Sequence, residues 1–400
     1  MAQPTPFDPS PVWFDENDVD LQPLLALANK QTSKDRVPLA SEVVHQIPVY
    51  DGASVRSMAD VATKNKSAIK ALQAEWIDVL LHGAGVIVIR QAEDDIDMLD
   101  SVTQVLLEIM QSEAAGEQVV GDHFAAAGSN SRIWNTQEKL CMHSPELFAH
   151  YMANEVLALM CSAWLGPAYQ ITAQANIVHP GGRAQVCHRD YHLGFQDRQL
   201  LADYPAHVHT LSPLLTLQGG TAHSDVPIES GPTQLLPFSQ QLQRGYMDVH
   251  DERFIEYFNA HRVQLPLAKG DMMFFNPALF HAAGDNNTTD FDRFVNLFQV
   301  GSAYGRTLEI VDRSRMSIHL YPVLQSLLST GSITWQAAKN AIAACAEGYP
   351  FPANLDLEPP TEALASSSQQ HMMLKALEEG ISPGDFTNQI TAQKALKRSL

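Results

Sequence analysis

His188, Asp190, His281 and Arg293 are the residues of this chain whose types and order could do chemistry. Residues two apart on a strand project to one face, so His188 and Asp190 would set an imidazole beside a carboxylate. A third ligand from His281 would complete a two-His, one-carboxylate face on an octahedral metal. The remaining positions stay open, as non-haem Fe(II) oxygen chemistry requires. Arg293 adds a guanidinium of the kind that pairs bidentately with the carboxylate of an organic co-substrate. A lone His-x-Asp is common, and a single strand histidine is more often a hydrogen-bonded core residue. What raises this one is its company: a Gly-Gly turn before it, a buried run (GDMMFFNPALF) leading into His281, and a strand (VNLFQV) that starts beside Arg293.

The elements that must position these residues follow from periodicity. Residues 1–66 read as an irregular lead-in, with prolines at 4, 7, 9, 11, 23, 38 and 48. Helical spacing over 67–82 stops at Gly83, and 85–89 reads as a short buried strand. A second amphipathic helix follows over 92–114, with Leu99, Val102, Val105, Leu106 and Ile109 on one face. After a less regular piece, 145–165 reads as one helix. From Tyr169 short strands recur: 169–178, 184–191, 208–217, 232–236, 262–267, 271–275 and 293–300. Turns at Pro180-Gly181-Gly182, Gly219-Gly220 and Gly270-Asp271 punctuate them. Strands this short and this frequent predict a sandwich or jelly roll. Helical patterns return over 316–329, 333–346, 371–378 and 386–397, with a Pro- and Ser-rich linker at 347–370.

Composition sets outer bounds. Four hundred residues, 45% hydrophobic, suffice for a large core. No apolar run is long enough to span a bilayer. The acidic, Pro-rich start lacks the basic and apolar regions of a secretory signal, so an intracellular, cytoplasmic enzyme is expected. The final Arg398-Ser399-Leu400 only loosely matches a peroxisomal tail. Cys141, Cys161, Cys187 and Cys345 form no CxxC pair, which argues against a zinc ribbon or disulfide framework. Cys187 beside His188 should face the other way, as a buried structural thiol. A formal charge of −19 disfavours nucleic acid or an anionic membrane as the main partner.

Taken together these motifs resemble the phytanoyl-CoA dioxygenase family of Fe(II)/2-oxoglutarate-dependent oxygenases. The family's first motif resembles PGGRAQVCHRDYHLGF (180–195), its Pro-Gly-Ser-His turn resembles residues 230–240, and its distal motif resembles His281, Gly284, Asn286 and Arg293. The turn departs, reading Pro-Phe-Ser-Gln, and Arg293 stands one residue further from His281 than the pattern has it. The resemblance covers 67–305, which it implies to be the oxygenase domain. It implies an α+β fold with a mainly β core, a double-stranded β-helix (jelly roll, cupin-like) flanked by N- and C-terminal helices. It further implies Fe(II) on His188, Asp190 and His281, with 2-oxoglutarate and O2 as co-substrates.

In that reading Arg293 pairs with the distal carboxylate of 2-oxoglutarate. Gln174 and Asn176, sharing a face on the preceding strand, are candidate partners, as is Thr233 in the turn; ordinary inward amides tied to backbone explain the first two equally well. The outcome is oxidation of a small organic substrate, with succinate and CO2 released. Asp190 favours hydroxylation over halogenation, since related halogenases resemble this pattern with a small residue there.

Tyr191, His192 and Phe195 are placed at the pocket mouth, and His123, Arg132, Trp134 and Asn135 in a loop that could reach substrate. For His192 a core-edge role weighs more than ligation, and for Trp134 a packing anchor weighs more than a platform. Two rivals stand beside this reading: a cupin-type metalloenzyme without 2-oxoglutarate, and a catalytically silent binding protein. Residues 306–400 are read as a helical extension that caps the barrel, forms a homodimer surface or does neither.

Overall fold

The computed structural model describes residues 12–61, 66–115, 129–360 and 364–398. Ten strands form two sheets. In chain order they are β1 (Glu42–Val44), β2 (Ile47–Asp51), β3 (Val86–Arg90), β4 (Asn130–Ile133), β5 (Gln170–Val178), β6 (Thr216–Ala222), β7 (Gln234–Leu236), β8 (Met272–Phe275), β9 (Phe280–Ala282) and β10 (Arg293–Gly301). The large sheet runs β1-β2-β3-β8-β6-β10-β5-β4, and its β8-β6-β10-β5 centre is antiparallel throughout. Opposite it lies a small sheet of β7 and β9, extended by single bridges from His281 to His188 and from Leu235 to Val263. From β6 to β10 the strands alternate between the two sheets as the chain advances. That alternation is the jelly-roll winding of a double-stranded β-helix.

The two faces of the large sheet differ, and the period-2 pattern shows why. Ile171, Ala173, Ala175 and Ile177 of β5, with Phe294, Phe298 and Val300 of β10, point away from the small sheet into the largest apolar cluster. Fully burying one such phenylalanine stabilises by about 1.5–3 kcal/mol. Gln174, Asn176, Arg293 and Gln299 occupy the alternate positions and line a cavity between the sheets. A one-residue slip of β5 would exchange these two sets, so the register is strongly specified.

Helices cover the apolar face. The helix Lys66–Leu81 buries Leu72, Trp76, Val79 and Leu80 on one side. It is followed by β3 and the helix Ile96–Ala115, close to the expected bounds. The single helix expected over 145–165 is two, Pro145–Met152 and Glu155–Leu165. Asn154 breaks it: its side-chain oxygen accepts the N–H of Leu157 and caps the second helix. The four C-terminal helices, Arg313–Thr330, Trp335–Cys345, Gln369–Glu379 and Pro383–Leu396, contribute Leu320, Ile342, Met373 and Phe386 to the same cluster as Trp76 and Phe298. These four helices therefore share their core with the sheet and build its outer wall.

Other expectations change. The irregular lead-in contains β1, β2 and the helix Gly52–Val61, and β2 joins the large sheet parallel to β3. Residues 208–217 do not form a strand. Ala206–Leu211 is helical, a short 3-10 turn carries Pro213, and the strand begins only at Thr216. Pro205 and Pro213 stand at helix-start positions, where a missing N–H costs nothing. Gly219 and Gly220 lie inside β6 rather than in a turn. A Cβ on Gly219 would fall 2.4 Å from Phe274 Cδ1, and one on Gly220 2.9 Å from Val295 Cγ1. Close packing on both faces explains the pair. No described helix is long and apolar enough to cross a membrane.

Candidate metal centre

His188 and His281 exchange both backbone hydrogen bonds, N to O at 3.0 and 3.2 Å, which pins the two residues side by side. Their rings lie 4.4 Å apart between centroids. Each ring then uses Nδ1 on a carbonyl two residues earlier: His188 on Val186 at 2.8 Å, His281 on Leu279 at 2.9 Å. A carbonyl only accepts, so each Nδ1 carries the proton and each Nε2 keeps its lone pair. Those lone pairs face Asp190, with His188 Nε2 3.7 Å from Oδ1 and His281 Nε2 3.4 Å from Oδ2. One ligand atom from each residue fits within a 4.8 Å spread. Two free Nε2 atoms and one carboxylate, held before anything binds, are a preorganised donor set for one divalent cation.

Electrostatics favours the ligating forms. Burial, then the neighbouring His281, holds the His188 imidazole below its usual range and so neutral. Burial alone would raise Asp190. The net shift is nevertheless downward, with the Gln218 N–H donated to Oδ2 among its causes, so the carboxylate stays ionised.

Between the two ligands, Arg189 points the opposite way. Its guanidinium donates to the carbonyls of Ser239 (2.7 Å) and Leu242 (3.0 Å) and lies over the rings of Tyr246 and Phe280. Gly245 must stay small here, because a Cβ would meet Arg189 Cζ at 1.9 Å. Cys187 is buried and faces the core of the small sheet, as expected of a structural thiol. All four cysteines are free.

The cavity that holds the three ligands has a volume of about 560 Å³, and Arg132, Trp134, Gln174, Asn176, Phe195, Thr233 and Arg293 reach it as expected. Arg293 is 6% exposed, and burial lowers its guanidinium to about 10. It donates to the carbonyls of Ser230 and Gly284 at 2.8 and 3.3 Å. Among the described residues it makes no salt bridge. Asn176 Oδ1 is buried without a partner, so a ligand donor could use it. Arg132 stacks over Trp134 and donates to Gln174.

Two expected mouth residues and one expected loop residue, Asn135, do not line the cavity. Tyr191 and His192 lie behind the wall, because both take positive φ (66° and 43°) and reverse the chain directly after Asp190. Asn135 starts the helix Thr136–His143 and donates its N–H to Glu309. His123 lies outside the described residues. Lining residues that sequence reasoning missed include Gln218, His250 and Gln299. A strand assignment through Gly219-Gly220 would have placed Gln218 on the inner face.

Glu309 carries a pH signature. Burial pushes its carboxyl up to about 7 from an ordinary 4.5, against the lowering effect of the Asn135 N–H. Its contribution is fully present below 4.5 and is lost as pH rises through about 7. Glu309→Gln should therefore be more stable than the parent at pH 8, by no more than a few kcal/mol. That advantage should vanish near pH 4.5. Denaturant titrations at the two pH values check this, and an equal difference at both would refute it.

The family model "Phytanoyl-CoA dioxygenase (PhyH)" matches residues 71–295. No curated protein sequence matches the chain. Among solved structures, the chain is similar to the non-heme alpha ketoglutarate dependent epimerase SnoN from nogalamycin biosynthesis: 17% identity, 60% of this chain and 82% of that one, TM-score 0.41. It is also similar to the carbocyclase SnoK from the same biosynthesis, at 17% identity over 55% and 80%, TM-score 0.41. HygX from Streptomyces hygroscopicus, with nickel, 2-oxoglutarate and hygromycin B bound, is 15% identical over 57% and 87%, TM-score 0.41.

Proposed function

Because this chain belongs to the phytanoyl-CoA dioxygenase family of Fe(II)- and 2-oxoglutarate-dependent enzymes, we propose that it hydroxylates a C–H bond of a small organic molecule. His188, Asp190 and His281 hold the iron, and Arg293 holds the distal carboxylate of 2-oxoglutarate. One observation carries the reading: two Nδ1-tethered imidazoles and an ionised carboxylate converge within 4.8 Å on the wall of a 560 Å³ cavity. The donor set suits Fe(II), since nitrogen and carboxylate oxygen without thiolate leave a first-row metal its open positions.

When bound, iron with 2-oxoglutarate and dioxygen supplies the oxidising power, and succinate and CO2 leave. The chain's residues do the rest. Val186 and Leu279 carbonyls hold both imidazoles in the ligating tautomer. Arg293, tied to Ser230 and Gly284, offers its remaining donors to a carboxylate. Asn176 and Thr233, which also line the cavity, add hydrogen-bonding groups to it. Phe275, Val295 and Leu297 line it with apolar surface that excludes water. A carboxylate at position 190 leaves less room for a halide ligand, which favours hydroxylation over halogenation. We take the compartment to be the cytosol, which suits four unpaired thiols.

Iron-dependent formation of succinate from 2-oxoglutarate tests the reading. Succinate release should require added Fe(II), stop with a chelator, and rise with candidate small-molecule substrates. Iron-dependent oxidation without succinate would favour a cupin-type enzyme. No turnover and no metal binding would favour a silent binding protein.

A further inference from the structure

Four polar side chains on the inner face of the large sheet point the same way. Arg132 Nη1 donates to Gln174 Oε1 at 3.2 Å, and Gln174 Nε2 donates to Gln299 Oε1 at 3.1 Å. Gln299 stands directly opposite Gln218 in the β10–β6 register. Gln218 Nε2 donates to Asp190 Oδ2. An ionised carboxylate only accepts, so the Gln218 amide has one sensible orientation: NH2 toward Asp190, Oε1 toward Gln299. That Oε1 is buried with no partner. Gln218 is 6% exposed and lies in the central strand β6, where its backbone is held on both sides.

The geometry points to Gln218 as a positioning residue that fixes the Asp190 carboxylate for the metal. This inference rests on the reading of His188, Asp190 and His281 as the metal site. Asp190 sits outside any strand, two residues past its last ladder contact, and its backbone N–H is tied only to Pro277. Nothing in the backbone stops the carboxylate turning about its Cβ–Cγ bond. The Gln218 N–H occupies a lone pair of Oδ2 and supplies that restraint from the rigid centre of the sheet. Gln299 and Gln174, hydrogen-bonded to each other, order the wall beside it. Such supporting hydrogen bonds on a metal ligand are worth about 10- to 100-fold in metal affinity.

Gln218→Leu tests this in the full-length protein. Leucine fills much of the same volume and removes a buried acceptor that has no partner, so the fold should stand, as a thermal melt will show. Mn(II) titration, read from the free-ion electron paramagnetic resonance signal, should show affinity lowered about 10- to 100-fold. The charge-transfer band of the anaerobic Fe(II)–2-oxoglutarate complex should shift or broaden, which a merely structural role would not cause. Gln218→His, which keeps an N–H of similar reach, should restore part of the affinity. Asp190→Ala, measured alongside, separates the two ideas. If Asp190→Ala loses Mn(II) and Gln218→Leu binds it like the parent, the positioning role is overturned and the metal site stands. If Asp190→Ala also binds like the parent, the metal-site reading falls first.

Discussion

Asp190→Ala is expected to abolish iron binding and turnover together while leaving the fold standing. The carboxylate is the only anion among the three candidate ligands, and both imidazoles are neutral donors tied by Nδ1 to carbonyls. Without it the site keeps two Nε2 atoms and no charge to balance the ion. Residues that only support a ligand cost about 10- to 100-fold when removed, so loss of the charged ligand should exceed about 100-fold in metal affinity. Stability should change little. The side chain of Asp190 is 17% exposed, faces the cavity and belongs to none of the apolar clusters. The measurement pairs Mn(II) binding and succinate release with a melting temperature. Parent-like turnover in a variant that melts normally would place the chemistry elsewhere.

How much of this was legible in the amino-acid order depends on which physical signal each residue carries. His188, Asp190, His281 and Arg293 were readable because those side-chain types are chemically specific and stand beside turns and buried runs. Gln218 was not, because Gly219-Gly220 looks like a turn. Only the packed sheet shows the reason for both glycines, with Phe274 against one and Val295 against the other. Tyr191 and His192 were misplaced for a different reason. The expected strand, 184–191, ran through Tyr191, whereas two consecutive positive φ values at Tyr191 and His192 turn the chain away from the cavity. Strand β2 was hidden by Pro48, which pairs only with β1 and precedes the residues that meet β3. The jelly roll itself was legible from the recurrence of short strands. Its small sheet was harder to read, since single bridges at 188 and 263 replace full ladders.

Arg293→Ala should raise the 2-oxoglutarate requirement sharply while sparing metal affinity, and this split distinguishes it from a ligand variant. Arg293 opens β10 opposite Val178, and two backbone carbonyls hold its guanidinium in the cavity wall. Burial lowers it only to about 10, so it stays charged at neutral pH, yet no described carboxylate pairs with it. A cation held dry without an anion is costly and gains most from a carboxylate that arrives with the co-substrate. Truncating one partner of such a buried, hydrogen-bonded pair costs about 2–5 kcal/mol, a rise of roughly 30- to 3000-fold in KM for 2-oxoglutarate. Arg293→Lys should recover only part of this, because an ammonium keeps the charge and loses the two-pronged fit. Mn(II) affinity without 2-oxoglutarate should stay at the parent value in both variants. An unchanged KM in Arg293→Ala would remove Arg293 from the co-substrate site and leave the three metal ligands untouched. Loss of Mn(II) binding as well would mean instead that the variant has disturbed the wall on which Asp190 and His281 depend.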